Sequence, residues 1–190
     1  MKLKSLETFL QSLEGFRTPK VELEQYVTSA HLASRMIFTA HNNFNQILNK
    51  SILDLGSGTG LLSIACSYLD LSNPNFLNQL KSSIPKSIKP TSLDPLLFDT
   101  VVMNPPFGTK RKGIDMVFLE IACQLAKSEI YSLHKSSTRD YIQRKSKQWG
   151  FNGQVIAEMR YDLPKTLKMH KVKSLDIQVD LWRFDRIKAL

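Results

Sequence analysis

Leu3, Leu6, Phe9, Leu10 and Leu13 recur at helical spacing and the pattern stops at Gly15, which predicts an amphipathic helix over residues 2–14. After a turn at Pro19, a second helix is expected from about Ser29 to Leu48, with Leu32, Met36, Ile37, Phe44 and Ile47 on its apolar face. Ser51 to Asp54 then reads as a short apolar strand and Leu61 to about Leu69 as an apolar helix. Phe98 to Met103 has the β-branched character of a buried strand, and Pro105-Pro106 forbids its continuation. A helix is expected from Gly113 to about Lys127, carrying Met116, Phe118, Leu119, Ala122 and Ala126 on one side, followed by a strand over Glu129–Leu133. Ser136 or Ser137 can cap a helix that runs to Trp149. Val155–Met159 reads as a short strand, and Ser174–Phe184 as a long one in which Leu175, Ile177, Val179 and Leu181 alternate with polar residues. This alternation of strands and helices predicts an α/β fold, mostly parallel, closed by a C-terminal antiparallel hairpin.

The pattern fails between residues 70 and 98. Pro74, Pro85, Pro90 and Pro95 fall there, and no apolar strand is legible around them. The second and third strands of a doubly wound sheet belong in this interval, so they are expected to be doubtful or missing. At 190 residues the chain is expected to be a single domain. It divides into a helical extension (1–50), a glycine-rich unit (51–69), the irregular segment (70–98) and a larger C-terminal part (99–190).

Composition narrows the class. No run reaches the ~18 apolar residues of a membrane span, and the start Met1-Lys2-Leu3-Lys4 is unlike a signal peptide. Cys66 and Cys123 are isolated, without metal-ligand spacing, which fits packing in helices and an intracellular, reducing setting. His31 and His41 lack carboxylate or Cys partners at ligand spacing and read as surface or capping residues, so no metal site is expected. The net charge of +9 is unevenly placed. Residues 1–107 hold nine cations and eight acids, for +1, and residues 108–190 hold seventeen and nine, for +8. Lys110, Arg111, Lys112, Lys135, Arg139, Lys168, Lys171 and Lys173 are the candidate contacts to a phosphate backbone, with solubilising charge as the alternative.

Two stretches carry chemistry. In Asp54-Leu55-Gly56-Ser57-Gly58-Thr59-Gly60, alternate glycines between a strand and a helix let the backbone approach a ligand, and the helix start turns N–H groups toward anionic atoms. Asp54 at the strand end can accept from an ammonium. In Asn104-Pro105-Pro106-Phe107, an amide is presented at a strand's carboxyl end, the edge where open α/β sheets bind ligands. The Asn104 side chain and the Pro105 carbonyl can hold a planar amine by its edge, and Phe107 can hold it by its face.

The two stretches together resemble the Rossmann-like, class I amino-methyltransferases that use S-adenosylmethionine. The flanks Gln25-Tyr26-Val27-Thr28, Gly108-Thr109-Lys110, Tyr131 through Arg139, Arg160 through Pro164 and His170-Lys171 resemble the methyltransferase-like protein 5 family. That resemblance implies N6-methylation of an adenine in small-subunit ribosomal RNA, in the nucleus or cytoplasm. It implies cofactor contacts at Gln25, Thr28, Asp54, Gly56, Gly58, Thr59, Gly60 and Leu61, and a catalytic turn at Asn104, Pro105, Pro106 and Phe107. It also implies a small zinc-containing methyltransferase activator as partner. The chain departs from the family at Val27, where Pro is usual, and in a middle shorter by roughly twenty residues, the length of a βα unit. The family's acidic contacts to the cofactor ribose and near its adenine have no matching position there. Two other readings remain open: methylation of a protein glutamine, whose amide suits the same grip, and an RNA- or partner-binding protein without turnover.

Overall fold

The computed structural model describes residues 2–71, 97–162 and 176–188. The irregular interval of the sequence therefore lies almost wholly outside the described residues, as does the basic loop with Lys168, Lys171 and Lys173.

Five strands form one sheet: β1 (Ile52–Asp54), β2 (Phe98–Met103), β3 (Ala126–Lys135), β4 (Phe151–Asp162) and β5 (Asp176–Arg186). Their order is β1-β2-β3-β5-β4, parallel from β1 to β3 and antiparallel on both sides of β5. The expected C-terminal hairpin is present, and its second strand is the one inserted against β3. Alternation along each strand divides the core between the two faces of the sheet. Val102, Tyr131, Val179 and Leu181 face one way, toward α1 (Leu3–Gln11), α2 (Ala30–Asn42) and α3 (Leu61–Leu71). Val101, Met103, Ile130, Trp182 and Phe184 face the other way, toward α4 (Ile114–Leu125) and α5 (Arg139–Gln148).

The N-terminal helices belong to that core. Leu6, Leu10, Met36 and Ile37 are buried in the same cluster as α3. Ser29 caps α2 by accepting the Leu32 N–H at 3.3 Å. His31 joins the two helices through Nδ1 to the Glu7 carboxylate at 3.0 Å.

Several boundaries differ from the sequence reading. Helix α2 stops at Asn42, because Asn45 and Asn49 adopt left-handed φ of 53° and 58°, conformations that asparagine tolerates. Its continuation still buries Ile47 in the core. Helix α4 gives way at Ala126, which is extended and already paired with Phe98. Strand β4 is far longer than Val155–Met159, because β5 supplies a ladder along its length, with a register shift between Val155 and Ala157. A short 3-10 turn, Ser136–Thr138, precedes α5.

Ions are paired where the sheet buries them. Glu129 on β3 receives the Arg183 guanidinium at 2.6 Å and 3.0 Å, with the Gln46 amide at 3.3 Å. Arg183 also stacks over Phe44, 4.4 Å from the ring centre.

Candidate active site

The cleft lies at the carboxyl ends of β1 and β2. Leu55 N–H donates to the Val102 carbonyl at 3.0 Å, carrying the pairing one residue beyond β1 before the chain turns off into the glycine loop. Gly56, Gly58 and Gly60 all have positive φ. At Gly56 a Cβ would stand 2.7 Å from the Phe118 ring, so a larger residue is excluded by space as well as by backbone. Gly60 N–H donates to Ser57 O at 2.7 Å, and α3 begins directly behind it.

Asp54 ends β1. One carboxylate oxygen, Oδ2, accepts both the Ser63 N–H at 3.1 Å and the Ser63 hydroxyl at 2.8 Å, fastening the first turn of α3 to the strand. Burial pushes the Asp54 carboxyl above the usual carboxylate range, and the Ser63 bonds oppose that shift.

Asn104 follows β2. Its Nδ2 donates to Thr28 Oγ1 at 2.9 Å, which fixes the orientation of the amide, while Oδ1 is buried and, among the described residues, accepts from none. Thr28 belongs to a strap, residues 16–28, that crosses the mouth of the glycine loop. Within it Gln25 Oε1 accepts the Lys20 N–H at 2.8 Å. Glu24 is 7% exposed in a left-handed conformation (φ 51°), and its Oε1 accepts the Lys110 N–H at 2.8 Å. The strap is thus tied to the chain just past the Asn-Pro-Pro-Phe turn.

These elements enclose a cleft of about 430 Å³. Of the residues singled out in the sequence, Gln25, Thr28, Asp54, Gly56, Gly58, Thr59, Leu61, Asn104 and Pro106 line it. Gly60 is in the loop but not in the lining, and Pro105 is buried. Phe107 stands elsewhere than expected: it is 6% exposed and packed in the same core cluster as Val102, outside the cleft lining. The aromatic rings that do line the cleft are Phe16, Tyr26 and Phe118. Sequence reasoning missed these three and Glu24, since nothing in the local pattern sets them apart from core or surface residues.

The cations also divide. Lys110, Arg111 and Lys112 are exposed on the loop that leaves the catalytic turn, and Lys135 is half-buried at the end of β3. Arg139, an expected phosphate contact, bonds Asp180 through Nε and Nη2 and Glu158 through Nη2 at 2.9 Å, which ties those donors within the protein while the side chain stays partly exposed. Both cysteines are buried, and burial pushes the Cys123 thiol up to about 12, which suits packing and not reactivity.

A glycine loop after β1, an Asn-Pro-Pro-Phe turn after β2 and a parallel sheet with one reversed strand, β5, define a Rossmann-like class I methyltransferase. A crystal structure of a candidate RNA methyltransferase from Pyrococcus horikoshii matches with a TM-score of 0.76 at 30% identity, covering 98% of each chain. The rRNA N(6)-adenosine-methyltransferase METTL5 of Danio rerio is 47% identical, across 97% of this chain and 99% of its own. The Drosophila melanogaster protein of the same description is 42% identical over 97% of both. No protein-family model matches the chain. The chain belongs to the METTL5 family of methyltransferases. The alignment with the zebrafish protein runs over 204 residues, more than the 190 of this chain, so that relative carries residues without a counterpart here.

Proposed function

We propose that the chain transfers the methyl group of S-adenosylmethionine to the N6 amine of an adenine in RNA, with small-subunit ribosomal RNA as the substrate. The observation that carries this reading is Asn104 Oδ1, an acceptor buried in the cleft wall and without a donor among the described residues, on an amide whose other end is fixed by Thr28. A buried acceptor without a donor costs stability, and an incoming N–H group relieves that cost.

The residues present fit the cofactor. Gly56, Ser57, Gly58 and Thr59 line the cleft, so the loop backbone is within reach of a ligand there, and the α3 start favours an anionic group beside it. When bound, S-adenosylmethionine supplies an electrophilic methyl group on a sulfonium. The chain's own residues do the rest. An exocyclic amine conjugated with its ring is a poor nucleophile. Hydrogen bonds accepted by Asn104 Oδ1 and the Pro105 carbonyl raise its electron density and aim it. Thr28 keeps the Asn104 amide from flipping, and buried Phe107 packs the turn onto the core so that it does not drift. Lys110, Arg111, Lys112 and Lys135 hold the phosphates of a strand from which the base is turned out. Lys168, Lys171 and Lys173 extend this role in the reading.

Asn104→Ala tests it. Titration calorimetry should show S-adenosylmethionine bound by wild type and variant alike, while methyl transfer to ribosomal RNA falls by roughly a hundredfold to a thousandfold in the variant. A wild-type chain that binds no S-adenosylmethionine at millimolar ligand would overturn the reading.

The proposal extends to a small zinc-containing activator subunit and to work in the cytoplasm or nucleus. No helix of the described residues is long and apolar enough to cross a membrane. Co-expression with the activator should yield a complex that survives gel filtration; separate elution would remove the partner from the account.

A further inference from the structure

We propose that Glu24 is the acceptor for the α-ammonium group of the cofactor, resting on the reading that S-adenosylmethionine is the methyl donor. Three observations lead there. Glu24 lines the cleft while being 7% exposed, and its Oε2 is buried without a hydrogen-bond partner among the described residues. A carboxylate oxygen so placed calls for a donor, and a charged donor suits it best. The other oxygen is already occupied by the Lys110 N–H at 2.8 Å, so the side chain is held in one position before any ligand arrives. The residue also keeps a left-handed backbone (φ 51°), a conformation rarely adopted by a side chain of this kind and maintained here by the surrounding strap.

Its neighbour completes the match. Gln25 Oε1 accepts the Lys20 N–H at 2.8 Å, which leaves the Gln25 NH₂ to donate. Adjacent residues thus offer the cleft one anionic acceptor and one neutral donor, the complement of an amino-acid head with its ammonium and carboxylate. Asp54, the residue whose sequence position suggested the ammonium, instead commits Oδ2 to two bonds from Ser63 and anchors α3. The strap reads the zwitterionic end of the ligand, and the β1 carboxylate holds the loop beneath it.

The test compares two ligands by titration calorimetry at neutral pH: S-adenosylhomocysteine, and its deamino analogue with hydrogen in place of the α-amino group. Wild type should prefer the amino-bearing ligand by at least about tenfold. Glu24→Gln keeps the side chain's size and replaces the charged acceptor. It should weaken S-adenosylhomocysteine by about tenfold or more, leave the analogue unchanged, and so abolish the preference. Asp54→Asn should keep the preference. Absence of a preference in wild type overturns the proposal whether or not the variants fold. Equal losses on both ligands in Glu24→Gln overturn it by making Glu24 a support of the strap. Unchanged affinity with slower transfer to RNA overturns it by placing Glu24 against the target base. Loss of the preference in Asp54→Asn alone returns the role to Asp54. Wild type binding neither ligand would overturn the cofactor reading itself, and the proposal with it.

Discussion

Asn104 and Thr28 are 76 positions apart in sequence, yet one hydrogen bond between them decides which end of an amide faces the cleft. Thr28→Val keeps the shape and removes the acceptor for Nδ2. That leaves a polar group unpaired and frees the amide to turn, which should lower kcat/KM for RNA about tenfold or more, while Thr28→Ser should restore most of it. Steady-state methyl transfer measures both. Asn104 was legible in the sequence because strand, proline pair and aromatic residue are contiguous, and their chemistry can be read without the fold. Glu24 was not legible. Its meaning depends on Lys110 arriving beside it and on burial of its second oxygen, neither of which leaves a local mark. Phe107 carries the converse lesson, since an aromatic residue after a proline turn suits a stacking face and a core contact equally well, and packing decides.

The glycine loop and the strands that flank it obey rules visible in the chain. A β-branched apolar run stopped by prolines located β2, alternating apolar positions located the first half of β5, and the three glycines located the turn between β1 and α3. Gly56→Ala would force a Cβ to within 2.7 Å of Phe118 at a positive φ, so the loop or α4 must move. Cofactor affinity should fall by at least about tenfold, with a loss of stability of about 1–3 kcal/mol, read by calorimetry and urea unfolding. Elements whose limits come from partners were less legible. The extent of β4 is set by the ladder that β5 offers, and the end of α2 by two asparagines in left-handed conformations. The ion pair between β3 and β5 leaves no local mark in the sequence, because it depends on the pairing of the two strands. The fold brings Arg183, partly buried, onto the buried Glu129 at 2.6 Å. Arg183→Leu strands Glu129 in the core and should cost about 3–5 kcal/mol by urea unfolding.

Across the whole molecule the charge is uneven, with +8 of the net charge lying beyond residue 107. Replacing Lys110, Arg111 and Lys112 together with Ala should weaken RNA binding and flatten its dependence on log salt by roughly 2 units, while binding of the small ligand is unaffected. Acid stability follows from groups that the fold holds in their charged form. Hydrogen bonds from Arg139 and Ser136 hold Asp180 below the usual carboxylate range against the opposing effect of burial, and the His134 ring, 3.7 Å away, does the same for Asp115. For a depressed carboxylate, the contribution is fully present above about pH 4 and is lost as the pH falls through the lower folded value. Thermal unfolding should therefore show an acid limb beginning near pH 4 that is shallower in Asp180→Asn, with the variant also less stable at neutral pH. The account stands most directly on the product of the reaction. Small-subunit ribosomal RNA incubated with the chain and isotopically labelled S-adenosylmethionine, then digested to nucleosides and analysed by mass spectrometry, should contain labelled N6-methyladenosine with wild type and at least roughly a hundredfold less with Asn104→Ala. Label appearing in a protein glutamine, or RNA that stays unmethylated while the cofactor is bound, would contradict it.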